Sequence, residues 1–357
     1  MAKNLKWLMR QAVRIATQAL PKPVRFASYR QMIRCDAAPS PKLVLKLAET
    51  REELEACFRI LHDAYVQAGL MHPDPSGLRV TVYHALPTTS TLLAKYGDEV
   101  VGTLSLVRES ALGFPLQKIF EIDAVRAAGG SIAEVSSLAV KRSFQARGGI
   151  ILFPLMKFMY EYATRCFDTR HLVIAVNPRH IPMYESLLFF ERLRQGPAVS
   201  YDFVNGKAAI GAHLDLKAAP ERYRRCYDHK PPEKNLYRYF TQIRLPNIVF
   251  PDKRFFTTND PVMTPELIDH FFNRRTQVFA RLDDRQKALL HTIYDTPEYA
   301  RVLPPLPPEA RLRQPESDAD DERQAQHRDR DLDEHLAART AGAAGTEVGG
   351  GERKGRA

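Results

Sequence analysis

Apolar residues recur along this chain with two different periods, in alternating blocks. "KLVLKLA" (42–48) alternates with a period of two and predicts a strand. Thr50 then opens a helix, with Thr50-x-x-Glu53 as a capping box and Leu54, Phe58, Leu61 and Tyr65 as its buried stripe. Gly69 and the Pro73–Gly77 cluster end it. "STLLAKY" and "VVGTLSLV" predict two strands joined around Gly97-Asp98-Glu99, and "IAEVSSLAV" (132–140) predicts another. Leu152, Leu155, Met156, Met159, Ala163 and Cys166 then fall at helical spacing. "HLVIAV" (171–176) is almost entirely apolar, like a strand buried on both faces. Asn177-Pro178 break it, and "IPMYESLLFF" predicts a short helix with Pro182 in its first turn. "VSYDFVNGKAAIGAHLDL" predicts a hairpin around Asn205-Gly206. Residues 42–217 thus read β-α-β-β-β-α-β-α-β-β, an α/β (α+β) pattern with a mixed sheet.

Outside that block the pattern changes. Residues 218–302 are mixed polar and aromatic, with helix starts at Thr264-Pro265 and Asp283-Asp284, and predict a helical C-terminal extension. From 303 to 357 a Pro-rich stop is followed by charge, Ala and Gly, the composition of a disordered tail. Residues 1–41 form a basic N-terminal segment. Within it, "NLKWLMRQAVRIATQAL" (4–20) puts Leu5, Leu8, Ala12, Ile15 and Ala16 on one helical face. Such a helix fits a membrane surface as well as it fits a packed helix, and the pattern alone does not separate the two.

Composition narrows the function classes. At 357 residues and 44% hydrophobic, the chain can bury a core. No apolar run approaches the ~20 residues that span a bilayer, and no secretory signal is expected. Cys35, Cys57, Cys166 and Cys226 are far apart, which suits a reducing cytosol and argues against a disulfide framework or zinc site. Eleven histidines form no ligand spacing, so no metal is expected. The net charge is +10, although residues 309–357 carry an acidic excess, so the body is more basic than the total. Such a balance favours an acidic partner. "NRR" and "YRYF" mix basic and aromatic residues, but no nucleic-acid recognition motif accompanies them.

The candidate chemistry begins at "SSLAVKRSFQARGGIILFPLMKFMYEYATRC" (136–166). Gly148 and Gly149 permit unusual φ and close backbone approach. The following helix leaves its first N–H groups unpaired at its positive end, and Lys141, Arg142 and Arg147 add charge. Together they suit a phosphate. Pro154, lacking an N–H, fits the first turn of a helix that starts near Ile150 or Ile151. A glycine pair alone reads equally as a plain strand-to-helix turn with solvated arginines.

The order of elements adds to this. Gln145-x-x-Gly148-x-Ile150 resembles the pyrophosphate loop of GNAT acyltransferases, with Ile150 where that family has Gly or Ala. Asn177 and Tyr184 follow the next strand as in that fold. "FRILHDAYVQAGLM", "YHALPTTSTLLA", "VVGTLSLVRESALGFPLQKIF", "IAEVSSLAV" and "AVNPRHIPMYESLLFF" resemble more narrowly the long-chain N-acyl amino acid synthases, cousins of acyl-homoserine-lactone synthases. The relatives often carry an Arg four residues before the entry-helix aromatic; here Leu61 precedes Tyr65, so that role is not carried over.

The resemblance covers about 42–217 and implies a GNAT acyltransferase fold with a catalytic domain there. It implies transfer of a long fatty acyl group from an acyl carrier protein thioester to the amine of an amino acid. No cofactor is permanently bound; the acyl-phosphopantetheine thioester is a co-substrate. Its arm would meet Leu138, Ala139, Val140, Gln145, Ala146, Arg147, Gly148, Gly149, Ile150 and Asn177. Lys141, Arg142 and Arg179 would steer the acidic carrier protein. Glu134 stands where the synthases have a Glu and would take the amine's proton. An unperturbed Glu, at about 4.3, is a weak base, so burial must raise it. Strand alternation places Glu134, Ser136 and Leu138 on one face. Tyr184 would protonate the leaving thiolate, although a Tyr on a short amphipathic helix is more often core. Read without the resemblance, Glu134 fits a surface strand Glu paired with an Arg. Two other functions stay open: a GNAT N-acetyltransferase using acyl-CoA on another amine, and a non-catalytic membrane-associated acyl-binding protein. The expected location is the cytoplasm, with peripheral contact at the inner face of the membrane left open.

Overall fold

The structure, a computed structural model, describes residues 20–31, 33–145, 149–252 and 263–306. One compact unit spans Met1–Pro305; of the other, Leu306–Ala357, only Leu306 is among the described residues. The expected helix over 4–20 lies outside them apart from Leu20, as does the tail beyond 306.

In chain order the elements are α1 (Lys22–Gln31), β1 (Leu43–Leu47), α2 (Arg51–Gln67), β2 (Thr89–Tyr96) and β3 (Glu99–Arg108). Then come α3 (Asp123–Ala127), β4 (Ser131–Val140), α4 (Arg142–Gln145), α5 (Leu152–Arg165) and β5 (Thr169–Val176). They are followed by α6 (Ile181–Leu187), β6 (Glu191–Arg192), β7 (Val199–Tyr201) and β8 (Lys207–Asp215). The extension holds α7 (Ala219–Tyr227), α8 (Leu236–Thr241), α9 (Pro265–Ile268) and α10 (Asp284–Ile293). The capping signals act as read. Thr50 Oγ1 accepts the Glu53 N–H at 3.2 Å, Thr264 caps α9, and Asp283 caps α10 by accepting the Gln286 N–H at 2.8 Å. α5 starts at Leu152, one residue past the expected onset.

The strands form one mixed eight-stranded sheet in the order β1-β2-β3-β4-β5-β8-β6, with β7 paired to β8. Its pairs are antiparallel except β4 with β5, which α5 joins as a crossover. That parallel pairing runs from Ser131↔Thr169 to Glu134↔Val173 and stops there. β4 continues along β3 to Val140↔Gly102, and β5 continues along β8 to Val176↔Ile210, so the two strands part beyond Glu134.

Strand β4 also carries a bulge. Ser136 faces Ser105 and Ala139 faces Thr103, so Leu104 stands opposite both Ser137 and Leu138. Ser137 absorbs the extra residue with φ 55. The bulge corrects the expected alternation, because one inserted residue reverses the phase. Leu138 packs with Val135 and Val140 on the α5 side, while Ala139 packs with Leu54 and Phe58 of α2.

The sheet separates two apolar layers. On one side Leu155, Phe158, Met159 and Tyr162 of α5 meet the sheet and the extension's Tyr223, Tyr227, Leu236, Tyr239 and Phe240. Lys157, 1% exposed, pairs with Glu161 at 2.6 Å and donates to the Phe240 carbonyl at 3.0 Å, tying α5 to α8. On the other side Leu54, Phe58 and Leu61 of α2 meet Phe271, Phe272, Phe279 and Leu290. Phe58 and Phe271 pack edge to face at 5.2 Å, and the Tyr294 hydroxyl donates to the Ala85 carbonyl. Residues 247–249 cover the β1 edge: the Leu45 N–H donates to the Asn247 carbonyl at 2.9 Å and the Val249 N–H to the Leu45 carbonyl at 2.8 Å.

The extension is therefore part of both layers. Tyr227, Leu236 and Tyr239 are each 0% exposed. Truncating a large core side chain costs about 3–5 kcal/mol, and a whole domain is stable by about 5–15 kcal/mol. A chain ended after Lys217 is expected to lose cooperative folding. Thermal unfolding followed by circular dichroism tests this; a sharp transition with native near-UV signal in the shortened chain would contradict it.

Candidate active site

Glu134 lies on β4 at the last residue pair before β4 and β5 part. Its side chain turns to the α2 side of the sheet and is nearly sealed, at 3% exposure. One oxygen accepts the Leu116 N–H at 2.9 Å. That N–H is available because Pro115–Lys118 forms a 3₁₀ turn, whose first amides have no partner within the turn. No Lys or Arg pairs with Glu134 among the described residues. Burial disfavours the carboxylate and raises its pKa to about 8, against a smaller opposing effect of the Leu116 N–H. The surface Glu–Arg pair that the residues alone allowed is not what the structure contains.

Aromatic groups lie near this carboxyl, with the cation of Arg79 beyond them. The Tyr201 hydroxyl donates to the Pro115 carbonyl at 2.5 Å and so braces the turn that holds Glu134. Burial raises the Tyr201 pKa, with the Glu134 charge adding to it. Tyr83, from the 3₁₀ turn Val82–Ala85, is pushed up to about 12 by burial and by Glu134. Next to it, His84 is buried and neutral, lowered to about 4 by desolvation and then by Arg79. The Thr81 N–H donates to its Nδ1 at 3.0 Å, so the ring proton sits on Nε2, 3.4 Å from Ser105 Oγ. The Arg79 guanidinium covers the Tyr65 ring at 4.0 Å. Tyr184 on α6 packs edge to face on Phe190 at 5.6 Å and is pushed up to about 12 by burial and by Tyr65. Tyr184 makes no hydrogen bond to Glu134 among the described residues; it lies near Tyr65, whose ring Arg79 covers.

The residues expected along the acyl-donor arm fall on the far half of β4 and the turn after it. The Lys141 N–H donates to the Val101 carbonyl at 2.7 Å. Alternation then turns the Val140 N–H and carbonyl toward the gap left by β5. Gln145 Nε2 donates to that carbonyl at 2.7 Å, which leaves the Val140 amide facing the gap. Ala139, one residue earlier, pairs with Thr103 on the β3 side, and Leu138 belongs to the bulge after Ser137. Ala146, Arg147 and Gly148 lie outside the described residues. Gly149 takes φ 83, where a Cβ would meet the Phe153 ring at 2.8 Å. Ile150 is exposed, and its amide and that of Ile151 find no acceptor among the described residues. Asn177 has a local role: its Oδ1 accepts the Arg179 N–H at 3.0 Å and turns the chain into α6. Arg142 and Arg179 are exposed, while Lys141 pairs with Glu99.

Arg79, Tyr83, His84 and Tyr201 were not singled out from the sequence. "LRVTVYHALP" has no clear period, so its only signal was the density of ionisable and aromatic residues directly after a turn cluster. A groove of about 240 Å³ opens beside Tyr83, lined by Phe114, Gln117, Lys118 and, from the extension, Asp283 and Arg285. Glu134 stands at the head of the gap between β4 and β5, and the groove opens on the far side of Tyr83 and of the Phe114–Lys118 segment without reaching Glu134 in its lining.

The chain is similar to several known proteins. The family "N-acyl amino acid synthase FeeM" has a model that matches residues 56–215. No curated protein matches the chain significantly. Among solved structures, that of FeeM, an N-acyl amino acid synthase from uncultured soil microbes, is 24% identical, covering 51% of this chain and 95% of that one at a TM-score of 0.44. The CoA-dependent acyl-homoserine lactone synthase BjaI, solved with SAM and isopentyl-CoA, is 20% identical over 58% of this chain and 93% of its own, with a TM-score of 0.42. An acetyltransferase of the GNAT family from Streptococcus pneumoniae is 13% identical over 48% and 98%, with a TM-score of 0.35. Residues 56–215 are thus similar to the FeeM N-acyl amino acid synthase family over less than half of the chain, and that match supports an N-acyltransferase that moves an acyl group onto an amine.

Proposed function

We infer that the protein transfers a long fatty acyl group from the phosphopantetheine thioester of an acidic acyl carrier protein to the amino group of an amino acid. The observation that carries this reading is the buried Glu134 carboxyl, raised to about 8, at the point where β4 and β5 part. A base is most effective when its pKa lies near the working pH. In this reading the thioester arm lies in the gap, along the amides of Leu138 and Val140 and of 145–150. The amine enters from the groove beside Tyr83. Its nitrogen lone pair attacks the thioester carbonyl carbon, and Glu134 takes the proton that the new C–N bond releases. An amide on the β4 edge stabilises the oxyanion. The C–S bond then breaks, and Tyr184 hands its proton to the departing sulfur. Asn177 holds the turn that carries α6 and Tyr184. The products are an amide and a free thiol, with no covalent enzyme intermediate.

The basic rim supports a carrier-protein donor. Arg142 and Arg179 are exposed at the mouth of the gap, without an ion pair among the described residues. Lys141 is already neutralised by Glu99, so it contributes less to steering than the sequence suggested. The location in the cytoplasm, and any contact of the N-terminus with a membrane, belong to the same proposal. No helix among the described residues is long and apolar enough to cross a membrane.

Two measurements test this reading. Glu134→Gln keeps an acceptor for the Leu116 N–H but removes the base, so kcat is expected to fall about 10²- to 10⁴-fold with circular dichroism unchanged. Because a raised carboxyl must first lose its proton, the wild-type rate should climb with pH through about 8. A variant with wild-type turnover, or a rate flat between pH 6 and 9, would contradict the assignment. Reversing charge at Arg142 and Arg179 together should raise KM for acyl carrier protein thioester about tenfold at low salt, and less at high salt. The same shift in KM for an acyl-pantetheine thioester would contradict a carrier-protein surface there.

A further inference from the structure

Arg79 is a buried cation without a counter-ion among the described residues. It is 9% exposed, and no Asp or Glu lies within 4.0 Å of its guanidinium among the described residues. Its Nη2 donates to the Phe203 carbonyl at 3.3 Å, and its Nη1 reaches only the Met71 sulfur at 3.9 Å. Its Nε has no acceptor. Its Cζ lies 4.0 Å from the centre of the Tyr65 ring and 5.0 Å from that of Phe203. Two partly buried arginines elsewhere have carboxylates, Arg170 with Asp215 at two points, each 2.8 Å, and Arg192 with Glu185 at 3.0 Å, whereas the partly buried Arg30 resembles Arg79 in lying over a ring, that of Phe189, and donating to a carbonyl, that of Ser186.

A guanidinium cannot escape this burial by losing its proton. Leaving a charge dry and unpaired is unfavourable, and a bidentate carboxylate is the partner that its forked donors fit best. Its position is also specific. Arg79 belongs to the segment that supplies Tyr83 and His84, and its field reaches both His84 and Tyr201. The Glu134 charge reaches Tyr201 from its own position. Lys118, in the groove wall, lies 5.8 Å from the centre of the Phe203 ring that Arg79 also covers. Geometry connects the two through Tyr201: its ring stacks at 5.5 Å on Phe203, which Arg79 covers, and its hydroxyl donates to the Pro115 carbonyl of the turn whose Leu116 N–H holds Glu134.

We propose that Arg79 binds the carboxylate of the acceptor, so that the enzyme selects amines bearing a carboxylate, as α-amino acids do, over amines without one. The proposal rests on the reading of Glu134 as the group that receives the amine's proton. An acceptor spanning the two would have its carboxylate on Arg79 and its nitrogen toward Glu134, which fixes the direction of attack.

The full chain, supplied with a long-chain acyl carrier protein thioester, would be given a mixture of the twenty amino acids and, separately, their carboxamides. Products are resolved by mass spectrometry. The wild type is expected to favour acids. In Arg79→Gln the acid-to-amide ratio should fall about 30- to 5000-fold, the range for removing one partner of a buried charge pair. Arg79→Lys should retain part of the preference. An unchanged ratio in Arg79→Gln would overturn the proposal, as would a wild type that acylates both mixtures equally. A wild type that acylates neither would instead defeat the acyl-transfer reading. Should Arg79→Gln fail to fold, the melting temperature of the wild type decides: it should rise with the amino acids and not with the amides, and an equal rise with both overturns the proposal.

Discussion

Glu134 gives up its hydration shell and receives in return a single hydrogen bond from the Leu116 N–H. Burial of that kind disfavours charge, and no Lys or Arg pairs with the carboxyl among the described residues to reverse it. The rest of the site depends on this imbalance. A Glu on the same strand but exposed to water would be ionised at every physiological pH and would hold a proton only weakly. The carboxyl is sealed because the Pro115–Lys118 turn closes over it, and Tyr201 braces that turn through the Pro115 carbonyl.

The fold makes the sealed carboxyl reachable. Parallel pairing of β4 with β5 ends at Glu134, and each strand then follows its other neighbour. The gap presents backbone amides that a continuous sheet would have consumed. The bulge at Ser137 sends Leu138 into the α5 layer and Ala139 toward α2, so both apolar layers stay filled while β4 changes phase. From the opposite side, the extension anchors the segment that carries Tyr83 and His84, through the Tyr294 hydroxyl on the Ala85 carbonyl. An element remote in sequence thereby sets the walls of the groove.

Much of the scaffold could be read from the chain. Long periodic segments such as 42–48, 51–65 and 171–176 announce themselves because one buried face repeats often enough to be counted. Thr264 and Asp283 were legible because a cap is a local hydrogen bond. α1, α7 and α8 were not: they are short, and α7 and α8 are held by tyrosines that bury against α5 rather than by their own pattern. The bulge was invisible, since Ser-Ser in a strand does not demand a left-handed residue. At the site, Glu134 stood out only through its family resemblance, and its burial depends on residues 115–118 and 201, far along the chain. Arg79 was missed for the same reason. Being unpaired is a property of the folded surroundings, and "GLRVTVYH" does not encode it locally.

The central claim is that burial alone carries Glu134 into the range of a working base. Its most direct test is a carboxyl titration by infrared difference spectroscopy on the full chain, with Glu134→Gln to identify the band. The account predicts one protonated-carboxyl band, absent in the variant, that disappears with a midpoint near 8. A Glu134 that is already ionised at pH 6, with no band lost between pH 6 and 9, would contradict it.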